Sequence, residues 1–452
     1  MDSTYPASAG PAPSERLVAR LWEEQRPLRF PLATTEGEEI EVVYRGRRRW
    51  DRGPDFAGAL IAWPGARLKW GEVEVHVRSS DWWAHGHHRD PRYGGVILQV
   101  VLWDDALTPS VRADGTPIPV VALASFLSVP LAAMLLAPQP ESPAPIPCWR
   151  GPTDDGALGA VLDGCGRDRL AAKAARFESD LTCASPDQLL YQGIAEALGY
   201  SQNRRPFRGL AERVPLDLLL SCRGDAEALL LGAAGLLPSQ RRLHLEGDPH
   251  VELLERVWDK QVRGRGLDPM ASREWEFFRV RPANFPTRRI AALAALAARW
   301  PREGLAATLE GLVSSLEPRT LPRHLEGLIL SRGADEYWDT HCDFGLGLHR
   351  PADLVGRQRA AEIAINVFLP FLVAWASHRD DLGLAGRVWE AYRLYPKRGD
   401  NELSRYVATH ITGIPRPRVA RSACRQQGLL HLHWGWCEMK RCGECPAQTG
   451  LD

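Results

Sequence analysis

Residues 71–78 read GEVEVHVR, and the fold turns on them. Glu72, Glu74 and His76 alternate with Val73, Val75 and Val77. Successive side chains of a strand point to opposite faces, so this stretch predicts a strand with one apolar and one polar face. Two carboxylates and an imidazole on the polar face call for a chemical reason that Thr, Lys or Ser would not.

Working outward, EIEVVYR at 39–45 predicts a first strand and AGALIAW, after GPDF, a second. EVEVHV is the third. GGVILQVVLW is the fourth, and its unbroken apolar run predicts burial on both faces. Residues 14–26 predict an amphipathic helix with Leu17, Leu21 and Trp22 on one side. Between the third and fourth strands lies SSDWWAHGHHRDPRY, where Ser80 or Asp81 can cap a short helix. The order is helix, strand, strand, strand, helix, strand: a compact α/β domain over 16–125. Residues 1–15 read as a disordered tail. Residues 126–152 read as a proline-rich linker around APQPESPAPIP. Residues 153–420 carry helical patterns such as RRIAALAALAARW, and 421–452 form a cysteine-rich segment.

A chain of 452 residues with 44% hydrophobic and 25% charged residues is ordinary for two or three globular domains. Zero formal net charge gives no global pull on nucleic acid. All but five of the 56 basic residues are arginine, the lysines standing at 69, 173, 260, 397 and 440. Genomic base composition and phosphate recognition by forked guanidinium groups both produce that bias. The first residues lack the basic and apolar regions of a secretion signal, and no apolar run is expected to reach the length needed to cross a bilayer, so a cytoplasmic protein without a membrane partner is expected. Nine cysteines, an odd count, argue against a disulfide framework. No P-loop, dinucleotide fingerprint or nucleophile elbow is evident.

Asp55 follows Gly53-Pro54 and opens the second strand; Glu74 lies on the next strand, with His76 two positions on along the same face. Carboxylates on neighbouring strands make a hard-oxygen site suited to Mg²⁺ or Mn²⁺. Such an ion can activate water and offset charge developing on a phosphodiester. His76 is placed to orient or deprotonate that water.

The motif PDF…EVEVHV, set in this element order, resembles the core of the PD-(D/E)XK nuclease superfamily. The resemblance implies a restriction-endonuclease-like fold, with Pro54-Asp55 and Glu74 at the acidic motif positions. His76 stands where that superfamily usually has lysine. A histidine is charged only near or below its pKa, whereas lysine is a lasting cation. The superfamily's first helix often supplies another acid, here Glu23 or Glu24. At closer range GPDFAGALI, GEVEVHVRSSDWWAHGHHRDPRYGGVILQVV and QQGLLHLHWGWCEMKRCGECP resemble a bacterial family, domain of unknown function 2851. That family often has histidine at the position of Gln99, which makes position 99 a dispensable ligand.

His85, His87, His88 and Asp90 form a second cluster. With His76, imidazoles so close can hold a transition metal. His88 reads as a loop residue; His85 and His87 can support the metal or pack. Asp81 or Asp90 can support the site or hold an imidazole tautomer.

Cys424, Cys437, Cys442 and Cys445 have the spacing of a four-thiolate centre, for Zn²⁺ or a [4Fe–4S] cluster. Lys440 and Arg441 would depress the thiol pKa values. Its expected role is to pin a C-terminal segment too short for its own core. Two basic loops interleave arginine with aromatics: Arg204, Arg205 and Arg208 with Tyr200 and Phe207, and Arg279, Arg281, Arg288 and Arg289 with three phenylalanines. They suit phosphates and unstacked bases, or else pair with acids at helix junctions.

The leading expectation is a metal-dependent nuclease acting on DNA or RNA. The alternatives are a non-catalytic nucleic-acid-binding or scaffold protein on a degenerate nuclease fold, and a transition-metal hydrolase of a small molecule.

Overall fold

The structure, a computed structural model, describes residues 13–136 and 154–449, apart from 26, 50–52, 66, 244, 246, 279, 332–336, 398, 400–406, 409–410, 412–418 and 440. The chain divides into two compact units, residues 1–141 with 277–282, and residues 142–276 with 283–452.

The first unit is built on a seven-stranded sheet. Its strands are β1 (Leu32–Ala33), β2 (Glu39–Tyr44), β3 (Arg47–Arg48), β4 (Phe56–Trp63), β5 (Arg67–Arg78), β6 (Val96–Trp103) and β7 (Val120–Ala122). They run in the order β1-β2-β4-β5-β6-β7, with β3 paired to β4. The β2-β4-β5 ladders are antiparallel. β5-β6 and β6-β7 are parallel, so the chain crosses over between them. The crossover from β5 to β6 carries helix α2 (Asp81–Ala84) and two short 3₁₀ turns.

The two faces of β5 have separate partners. Val73 and Val75 are buried in the main core with Leu17, Val18, Leu21 and Trp22 of helix α1 (Glu15–Glu24). Ser14 caps α1, its Oγ accepting from Leu17 N at 3.4 Å. Across the sheet, Trp82, Tyr93, Val96 and Ile118 form a smaller core beneath the crossover. The strand's period of two therefore sends the valines to one core and Glu74 and His76 to the other face. β6 is buried along nearly its whole length, as its apolar run predicts. Of the stretch read as linker, 131–136 is a helix; the rest from 137, and residues 1–12 of the tail, lie outside the described residues.

The second unit is mainly helical. It includes α3 (Asp155–Asp180), α4 (Pro186–Leu198), α5 (Arg204–Arg213), α6 (Pro286–Ala298), α7 (Arg357–His378) and α8 (Ala423–Leu432). Helix α7 is long and apolar enough to cross a membrane, contrary to the expectation from sequence; 72% of its most apolar window is buried in the unit, as in a core helix. Helix α8 packs along α3 at very close range. A Cβ on Gly166 would lie 2.5 Å from the Cys424 carbonyl oxygen, and one on Gly428 would overlap the Leu162 carbonyl. Arg425 clamps the pair with two bonds to Asp163, at 3.0 and 2.9 Å. The start of the cysteine-rich segment is thus held by helix packing and an ion pair.

Candidate metal centre

Gly53, at φ +123°, adopts a backbone conformation open to glycine and strained for other residues. The turn it makes delivers Asp55 to the start of β4. The main chain then locks Asp55 to Glu74. Asp55 N donates to Glu74 Oε2 (3.0 Å), and Val75 N donates to Asp55 Oδ2 (3.1 Å). The two carboxyl groups converge as the sequence suggests.

Two residues on, His76 is 1% exposed and Glu74 6%. The crossover folds His85 and His87 over them. One ring nitrogen from each of His76, His85 and His87 lies within 4.8 Å of the others, and among the described residues this is the one grouping of three or more such donors close enough to share an ion. Glu74 Oε1 lies 3.6 Å from His76 Nε2 and 3.3 Å from His87 Nε2. His87 stacks on Tyr93 with ring centroids 3.8 Å apart, and Trp82 meets both His76 and His87 edge-on. His85 is exposed and forms the open side.

The electrostatics follow from burial. Desolvation, aided by the Asp55 charge, pushes Glu74 up to about 9. Desolvation also raises Asp55, opposed by the Val75 amide and Arg48. Burial lowers His76 to about 3, with the neighbouring His87 and His85 adding to it, and burial lowers His87 too. The raised Glu74 carboxyl beside the lowered His76 and His87 imidazoles, with His76 Nε2 buried and lacking a hydrogen-bond partner, forms a donor set that fits a divalent cation. Mixed imidazole and carboxylate ligands suit Zn²⁺, Mn²⁺ or Fe²⁺ better than Mg²⁺, which prefers oxygens.

Sequence reasoning missed how His76 is held. Gln99 on β6 is fully buried, and its amide nitrogen donates to His76 Nδ1 (3.1 Å) and to the Ser79 carbonyl (3.3 Å). Ser110 Oγ donates to Gln99 Oε1 (2.6 Å). The signal was a lone polar residue inside VILQVVLW, because a buried amide needs partners. Sequence reasoning also chose the wrong acid on α1. Glu23 is taken by Arg45 and Arg48, at 3.0 and 3.4 Å. Glu15, two turns earlier and about 12 Å along the axis, is the α1 acid whose charge acts on Glu74 and is acted on by His85 and His87.

Other expected residues have different work. Asp81 Oδ2 accepts from Arg78 N (2.9 Å), which ties the start of α2 to the end of β5. Asp90 caps the turn at Pro91–Tyr93, and bonds from the Arg92 side chain hold its carboxyl down to about 2. His88 stacks on Trp83 (4.3 Å) away from the cluster. Glu72 is half-buried and pairs with Arg49 at 3.4 Å.

Among the described residues no three of the four cysteines lie close enough to share an ion, and Cys437 is half-buried. Cys424 Sγ faces the Asp163 carbonyl at 3.7 Å, Cys442 is exposed, and Cys445 is buried in the core containing Cys165. The Arg441 guanidinium pairs with Glu444 rather than with a thiol; Lys440 lies outside the described residues. Of the arginines, Arg288 and Arg289 are buried. They donate to the main-chain carbonyls of Trp338, Ala283, Ala352 and Leu354, so they serve packing instead of offering a phosphate contact. Arg204 and Arg208 pair with Glu196, Asp180 and Glu212. Arg205 and Arg281 are exposed, and Arg279 lies outside the described residues.

Residues 15–401 match the family described as a protein of unknown function (DUF2851). The chain belongs to the DUF2851 family. The match takes in every residue of the centre, from Glu15 to Gln99, and stops before the cysteine-rich end. No curated protein and no solved structure matches the chain.

Proposed function

We propose that the first unit is a metal-dependent hydrolase of phosphodiesters, acting on DNA or RNA. The observation that carries it is the convergence of His76, His85 and His87 on one another, with Glu74 Oε1 beside His76 and His87 and Asp55 locked to Glu74. The PD-(D/E)XK resemblance and the helix, three antiparallel strands, helix and parallel strand order support the phosphodiester reading.

His76, His85, His87 and Glu74 would hold the ion. When bound, a divalent cation supplies a water of lowered pKa and a charge that offsets the developing oxyanion. His76 is sealed from solvent and suits a ligand rather than the water-handling group its sequence position suggests. Its Nδ1 accepts from Gln99 as placed, which leaves the proton on Nε2. Turning the Gln99 amide would let Oε1 accept from Nδ1–H and free the Nε2 lone pair. Asp55, half-buried beside Glu74, is positioned to accept a proton from a water at the cluster. Arg48, paired with Phe56 across β3 and β4, brings a lasting positive charge that acts on Asp55, whereas His76 at the lysine position is uncharged. Exposed His85 leaves the side by which a phosphodiester can enter.

The test is cleavage of labelled DNA and RNA by chelator-stripped protein given Mn²⁺, Zn²⁺ or Mg²⁺. Cleavage should appear with Mn²⁺ or Zn²⁺ and be lost in Asp55→Ala and Glu74→Ala. Cleavage surviving both substitutions overturns the mechanism. A transition-metal hydrolase of a small molecule is favoured by the same imidazoles, and metal-dependent turnover of a small ester with nucleic acids untouched would support it.

A further inference from the structure

The second unit holds a cavity of about 530 Å³, within the range of small-molecule sites. Its wall concentrates positive charge in a chain whose formal net charge is zero. Arg169, Lys173 and Arg176 lie at i, i+4 and i+7 on one face of α3; Arg204 and Arg208 come from α5 and Arg359 from α7. Three carboxylates share the lining, those of Asp180, Glu196 and Glu362. Glu212, outside the lining, also pairs with Arg208 (3.1 Å), and six basic groups against four acids still leave a surplus of positive charge.

The pairing shows where the surplus sits. Arg176, Arg204 and Arg208 all reach the single carboxylate of Glu196, at 3.4, 2.5 and 3.9 Å. Arg359 pairs with Glu362 (2.8 Å) and lies over the Tyr200 ring at 3.3 Å, while its buried Nε has no hydrogen-bond partner. Arg169 and Lys173 reach amide oxygens instead of carboxylates. Arg169 Nε donates to Gln427 (2.8 Å), and Lys173 Nζ donates to Asn366 (2.5 Å) and Gln427 (2.8 Å). Burial, with Arg169 and Arg204 close by, pushes the Lys173 ammonium well below the usual lysine range. Like charges crowded at low dielectric repel, and an entering anion relieves that repulsion.

We infer that this cavity binds a small molecule carrying one or more phosphate groups. Forked guanidinium groups match phosphate oxygens two at a time, and three helices contribute them to the wall of one open cavity. The volume suits a small ligand rather than a polymer. The inference is independent of the hydrolase reading.

Calorimetric titration of the full chain with pyrophosphate tests it, with citrate and a short single-stranded oligonucleotide as comparison ligands at equal ionic strength. Saturable pyrophosphate binding is expected, weakened on the order of tenfold in Lys173→Met and in Arg176→Glu. Arg176 has 59% of its side chain exposed, so Arg176→Glu decides if Lys173→Met does not fold. No saturable pyrophosphate binding, unchanged binding in Arg176→Glu, or tighter binding of citrate or the oligonucleotide overturns the inference.

Discussion

Asp55 and Glu74 hold each other in place through the main chain, each carboxylate accepting from an amide beside the other: Asp55 N to Glu74 Oε2 at 3.0 Å, and Val75 N to Asp55 Oδ2 at 3.1 Å. The arrangement fixes two buried acids side by side, which costs free energy unless a cation joins them. Glu74→Gln keeps the shape of a carboxyl that burial already holds protonated and leaves no carboxylate for an ion to draw out. The metal-free variant should melt at or above the wild-type temperature, while metal affinity and turnover fall. Thermal melts with and without chelator, alongside metal titration, check this; a lower melting temperature in chelator would mean that Glu74 serves stability alone.

His85 and His88 are three residues apart and have different fates. His85→Ala removes an exposed ligand, so folding should change by no more than about 0.5 kcal/mol. Its effect on metal affinity should exceed the roughly 10–100-fold loss typical of a supporting partner. His88→Ala, which removes a ring stacked on Trp83, should leave metal content unchanged. Metal analysis of both purified variants separates them, and equal metal content in the two would remove His85 from the centre.

Gln99 acts through His76. Gln99→Leu strips the partner from Nδ1 and should lower metal affinity by about 10–100-fold. Gln99→Glu, whose carboxylate accepts from Nδ1–H, should restore more of it. The order of the three affinities is the readout, and Gln99→Leu binding as tightly as wild type would show that the amide has no part in orienting the ring.

Gly428 and Arg288 carry packing. Gly428→Ala drives a methyl into the Leu162 carbonyl and should cost about 1–3 kcal/mol. Arg288→Ala strands the Trp338 and Ala352 carbonyls and should cost about 3 kcal/mol. Denaturant melts measure both, and nucleic-acid cleavage by the folded Arg288→Ala fraction should be unimpaired.

Much of the first unit was legible because its elements are short-range. The Leu17, Leu21 and Trp22 face of α1, the alternation of β5 and the apolar run of β6 announce themselves within a few residues. β1, β3 and β7 have two or three residues each, too few for a period. The centre was legible where it lies on strands, since the turn at Gly53 and the β4-β5 ladder bring Asp55 and Glu74 together. It was obscure where partners come from the crossover or the next strand: nothing local says that His87 stacks on Tyr93 or that Gln99 reaches His76. Spacing also misled. Glu23 sits on α1 as expected but answers to Arg45 and Arg48. Arg288 and Arg289 look like a phosphate loop in sequence, yet burial turns them to carbonyls.

The most direct test follows phosphodiester turnover of stripped wild-type protein as Mn²⁺ is added, with occupancy of the imidazole site measured in the same samples. Turnover should rise with occupancy and level off when the site is full. Turnover before any ion is bound, or a filled site without turnover on DNA, RNA or a small diester, would contradict the account.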